Sequence, residues 1–147
     1  MTLTEILTTR PVINVHSRNV IVICLLCFII ICLYGRFRCQ HPDFQDPLMK
    51  QFHLYDLDGW SLSHFLFFMM IGYMYPDKFY LSVLLGIIWE LFESFYGKKR
   101  PGFLGGFGDC ATTDPNVESG AWWYGRLSDI ICNVVGLLVG IILHQKV

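Results

Sequence analysis

The chain has 147 residues, a formal net charge of −1 and an apolar share of 54%, with a strongly positive mean hydropathy. Near-neutral charge leaves no electrostatic footprint for nucleic acid. Length and hydropathy together fit one compact membrane domain, residues 1–147, better than several soluble ones.

Arg10 and Arg18 precede the apolar run 20–34, an order that a secretory signal also shows. The run ends in Leu33-Tyr34-Gly35-Arg36, without a small-x-small cleavage site, so it is read as a retained first span over 19–34. Three more apolar runs follow at 60–75, 79–96 and 127–144. At about 1.5 Å per residue such spans cover roughly 24–27 Å, slightly less than a hydrocarbon core of about 30 Å. Spans of that length suit a thin bilayer of the endoplasmic-reticulum type. Tyr34, Trp60, Tyr73, Tyr75, Tyr80 and Tyr96 fall where interface anchors belong.

The link Pro76-Asp77-Lys78 is too short for anything but an antiparallel hairpin of the second and third spans. The other connections, 35–59 and 97–126, are long and must open on the same face. The fold expected is all-α: a polytopic four-transmembrane-helix bundle with two long loops on one side. The glycines at 102, 105, 106 and 108, followed by Trp122 and Trp123, give the second loop the character of a lid. Cys24, Cys27, Cys32 and Cys132 lie in apolar runs and read as small hydrophobes. Cys39 and Cys110 fall in loops on one side, and a pairing between them is open but needs an oxidising compartment.

Acidic residues inside apolar runs stand out against this background. A carboxylate in hydrocarbon costs roughly 2.5–3.5 kcal/mol even on the lenient insertion scale, so it persists where paired, hydrated or metal-bound. His64 lies near the start of its span, Glu90 and Glu93 near the end of theirs, and Asp129 opens the last one. Topology alone therefore gathers all four beside the long loops. Glu90 and Glu93, three residues apart, share a helix face. Asp129, Asn133, Gly136 and Gly140 form a second stripe, where small residues allow close backbone approach.

Two readings of these acids stand side by side. One is an interfacial ion network with Arg126 or the basic run Lys98-Lys99-Arg100. The other is an oxygen-rich site for a hard divalent ion, because neighbouring carboxylates repel unless a proton or cation intervenes. His64 beside them is a candidate general base, or alternatively an interhelical hydrogen-bonding residue. Asn133 is open to the same structural reading, and Trp122-Trp123 to that of an interfacial anchor.

The strings Gly86-Ile-Ile-Trp89-Glu90-Leu-Phe-Glu93, Pro115-Asn116-Val117-Glu118 before Trp122-Trp123, and Asp129-Ile-Ile-Cys132-Asn133-Val-Val-Gly136 with Gly140 resemble the eukaryotic base-exchange phosphatidylserine synthases. Upstream, Ser63-His64-Phe65 and Thr9-Arg10-Pro11 resemble further family segments in the same order. The resemblance implies exchange of a choline or ethanolamine head group for L-serine, assisted by Ca²⁺ ahead of Mg²⁺ or Mn²⁺. It implies Glu90, Glu93 and Asp129 as ion ligands and His64 in proton transfer. Asn116, Glu118, Asn133, Trp122, Trp123 and Arg126 would then contact substrate. Phospholipid, L-serine and the bilayer are the partners expected, with self-association as a homo-oligomer open. Departures include Tyr124 where an acid often follows the tandem Trp, an insertion over 102–114, and a chain reduced to four spans.

Small VanZ-like membrane proteins are similar too, in size and in a Glu-bearing helix followed by an Asp-Asn-Gly-Gly helix. A non-catalytic accessory subunit is the third class. Seven Lys and Arg on the long-loop side against four on the other would put the loops in the cytoplasm, while the acidic residues in the long loops weigh against it and orientation stays open. A Cys39–Cys110 pairing would argue for the opposite orientation.

Overall fold

The computed structural model describes residues 4–5, 14–41, 44–50, 52, 57–99 and 125–146, with backbone alone for 38, 39, 49 and 96–99. Among them are four long helices and no strand: α1 (Val15–Gln40), α2 (Gly59–Met74), α3 (Phe79–Lys99) and α4 (Leu127–His144). Short 3₁₀ turns at Pro47–Met49 and Pro76–Lys78 flank α2.

Local chemistry sets these limits. Asp58, the N-cap of α2, accepts the Ser61 backbone N–H at 2.9 Å, and the Ser61 hydroxyl faces the Asp58 N–H in return. Such reciprocal capping satisfies two donors that a helix start would otherwise orphan. At the other end, Tyr75 precedes Pro76, and the proline ring disfavours helical geometry there. Tyr75 accordingly sits at φ −135° and ψ 62°, and α2 stops at Met74.

The reversal over 76–78 also holds the start of α1. His16 Nδ1 lies 3.1 Å from one Asp77 oxygen and Lys78 Nζ lies 3.0 Å from the other. Partial burial pushes the Asp77 carboxyl up, but the Lys78 and His16 hydrogen bonds and charges outweigh it and hold the group below its ordinary value.

α2 and α4 run parallel and are the most closely packed pair. A methyl group added at Gly136 would collide with the Phe65 carbonyl, at Gly140 with that of Met69, and at Gly72 with that of Leu137. Three backbone-to-backbone approaches thus depend on missing side chains, the arrangement that small residues spaced by four permit. α1 joins differently, through rings: Phe28 meets Trp89 and Phe92 of α3 edge-on at 5.7 and 5.6 Å.

The distribution of polarity is inverted relative to a water-soluble bundle. Leu26, Ile30 and Leu33 of α1, Leu84 and Leu91 of α3, and Leu127 and Ile131 of α4 are each more than half exposed. Asp58, Ser61, Glu90, Asp129 and Asn133 are buried instead. Two of the helices, Val15–Phe37 within α1 and Leu127–His144, are long and apolar enough to cross a membrane. Of the others, α2 has 16 residues and α3 carries two glutamates.

Candidate functional site

The buried polar groups meet where α2 and α4 begin and α3 nears its end. Close approach of α2 and α4 brings Ser61 opposite Asp129 and His64 opposite Asn133. The Ser61 hydroxyl donates to Asp129 Oδ1 at 2.6 Å, and His64 Nδ1 lies 3.0 Å from Asn133 Oδ1. Asp129 falls in the first turn of α4, where the helix dipole favours a negative charge.

Glu90 enters from α3. Gly125 passes so tightly against this helix that an added methyl group would strike the Glu90 carbonyl and the Ser94 hydroxyl. This passage lets the Arg126 backbone N–H donate to Glu90 Oε2 at 3.1 Å. The Arg126 side chain turns the other way: its guanidinium bonds Asp58, and its Nε lies 3.5 Å from Asp129 Oδ2. One residue thereby touches acids from the α2 cap, α3 and α4.

His64, Glu90 and Asp129 each offer one ligand atom within 4.8 Å of the others. His64 Nδ1 lies 3.6 Å from Glu90 Oε1, and that oxygen has no hydrogen-bond partner among the described residues. Glu93 is buried but stands aside from this group. It accepts a hydrogen bond from the Trp89 side chain one turn earlier, and it borders an apolar cavity of about 330 Å³ among α1, α2 and α3. Leu25, Phe28, Phe67 and Phe92 supply much of the cavity wall, and His64 closes it toward the acidic cluster.

Of the residues expected from sequence, the structure therefore brings together His64, Glu90, Asp129, Asn133 and Arg126, with Glu93 adjacent. Arg126 is engaged by the acids themselves. Asn116, Glu118, Trp122, Trp123 and Cys110 lie outside the described residues, as does the Cys39 side chain. Cys24, Cys27, Cys32 and Cys132 are half-buried free thiols.

Asp58 and the role of Ser61 were not anticipated. The pattern Asp58-Gly-Trp-Ser61 just before an apolar run is a helix-cap signature that could have located them. No protein-family model, curated protein or solved structure matches this chain.

Chemically, the site sets Asp58, Glu90, Glu93 and Asp129 against a single described guanidinium, that of Arg126. Buried like charges of this density repel unless a proton or a cation intervenes. The arrangement can hold a cation, orient an imidazole, and present both at the end of an apolar cavity.

Proposed function

We propose that this chain is a four-span membrane protein, suited to an endoplasmic-reticulum-type bilayer, that exchanges a phospholipid head group for L-serine as the phosphatidylserine synthases do. The observation that carries this reading is the continuity of the cavity with the polar cluster. A volume of about 330 Å³ lined by apolar side chains is small but sufficient for part of a hydrocarbon tail. The tail would lie between α1 and α3 while the phosphodiester reached His64 and the acids.

In the exchange, the serine hydroxyl oxygen forms a bond to phosphorus, the bond to choline or ethanolamine breaks, and the hydroxyl proton passes to the leaving alkoxide. The resemblance implies calcium as the assisting ion and His64 as the proton carrier. Glu90 and Asp129 offer the carboxylate oxygens such an ion takes. A divalent charge there would offset the repulsion among the acids and the charge developing on the phosphoryl oxygens.

The purified full chain in phosphatidylcholine vesicles with labelled serine tests this reading. Labelled phosphatidylserine that requires a divalent ion, with calcium, Mn²⁺ and Zn²⁺ assayed separately, and that is lost in Glu90→Gln, is expected. A folded protein that yields no labelled lipid with either phosphatidylcholine or phosphatidylethanolamine would overturn it in favour of a VanZ-like or accessory role.

A further inference from the structure

We infer that the buried cluster is a mixed nitrogen–oxygen site for a divalent transition ion, with His64, Glu90 and Asp129 as its ligands, rather than an all-oxygen calcium site. The inference rests on the proposed function only in placing an ion at this cluster, and it moves His64 from proton carrier to ligand.

Three observations support it. First, the grouping is His64 with Glu90 and Asp129, their ligand atoms within 4.8 Å of one another, whereas Glu93 faces the cavity. Contraction by about an ångström would bring such atoms around an ion with bonds of about 2.0–2.2 Å. Second, Glu90 is only 3% exposed, yet its Oε1, the oxygen nearest His64, has no hydrogen-bond partner among the described residues. A buried carboxylate oxygen without a donor is costly, and a cation at that point would satisfy it.

Third, each ligand is held by a different neighbour. Ser61 donates to Asp129 and the Arg126 backbone N–H donates to Glu90, while His64 Nδ1 donates to Asn133 Oδ1 and so leaves Nε2 as the ring nitrogen with a lone pair for the ion. Such outer partners set ligand orientation in built metal sites. They also leave three protein ligands and open positions, the pattern of a catalytic rather than a structural ion. Imidazole in the set selects against calcium, which takes six to eight oxygens, and toward first-row transition ions such as Zn²⁺, among which Mn²⁺ binds most weakly but reports its ligands by paramagnetic resonance.

Chelator-stripped full chain in lipid nanodiscs, titrated with Mn²⁺ alone, gives the test. One Mn²⁺ per chain is expected, with ¹⁴N modulation from a coordinated imidazole in the pulsed paramagnetic-resonance signal. Calcium in about tenfold excess should fail to displace it. His64→Gln should abolish the nitrogen signal, and Ser61→Ala, which leaves every ligand in place, should weaken Mn²⁺ about 10–100-fold.

Bound Mn²⁺ without nitrogen modulation, displacement by equimolar calcium, or no Mn²⁺ bound would each overturn the inference. Serine exchange driven by calcium together with any of these results would leave the proposed reaction standing. Nitrogen-coordinated Mn²⁺ with no exchange under any ion would do the reverse.

Discussion

Arg126 and Asp58 are the residues on which the site's geometry turns. The Asp58 side chain is almost fully buried and the Arg126 side chain is 19% exposed, so water screens their ion pair weakly. Removing one partner of such a pair leaves an uncompensated charge, at a cost of about 3–5 kcal/mol. Arg126→Ala should therefore lower unfolding stability in detergent by about that amount. The double variant Asp58→Asn/Arg126→Gln should recover much of the loss, as denaturant melts of the set would show. At the opposite end, Asp77 contributes stability that is present above its ordinary carboxylate value and lost as pH falls through its lowered one. The group is partly exposed, so the effect is modest, and Asp77→Asn should flatten the acid limb of a stability–pH profile. Which residues converge was largely legible in the sequence, because acids inside apolar runs are conspicuous and the loop lengths fix their end of the bundle. What was not legible was partner choice. Spacing puts Glu90 and Glu93 on one face, yet a three-residue step turns a helix by about 300°, enough to send one carboxylate toward α4 and the other toward the cavity. Asp58 escaped notice because a loop acid before a helix is ordinarily only a cap.

At the scale of elements, the α2–α4 pair is the keystone. Gly136 and Gly140 abut backbone carbonyls of α2, which cannot rotate away as a side chain would. Gly140→Ala should thus cost about 1–3 kcal/mol by overpacking. Leu143→Ala, one turn further on and exposed, should stay within about 0.5 kcal/mol. Thermal melts of both variants, with Mn²⁺ binding as a second readout, would separate helix spacing from local volume. Apolar runs located all four helices, and the boundaries of α4 coincide with the run. α1 differs: it covers Val15–Gln40, whereas the apolar run ends at 34. Hydropathy reports where a segment meets hydrocarbon, while hydrogen bonding along the backbone continues through Arg36 and Arg38 at no comparable penalty. α3 likewise runs on to Lys99.

For the whole molecule, the inverted polarity and the cavity make one system. If a lipid tail occupies the space among α1, α2 and α3, then filling it should act on lipid affinity rather than on folding. Leu25→Trp places a bulkier group on a half-exposed wall position. It should raise KM for phospholipid about tenfold, leaving KM for serine and the melting temperature within error, as kinetics in mixed micelles would show. A rise in both KM values would instead locate the effect at the head-group end.

The walls of that cavity also differ mechanically. α2 is bolted to α4 by main-chain contact, a joint with no soft rotamer to yield. α1 is held at its start by His16 against Asp77 and by buried Val20, and only its middle leans on α3 through the edges of aromatic rings. Were a lipid chain admitted from the side as proposed, the middle of the first helix would be the wall to yield, with the acidic cluster undisturbed. A covalent tether between positions 28 and 92 would shut that door and leave every charged group where it stands.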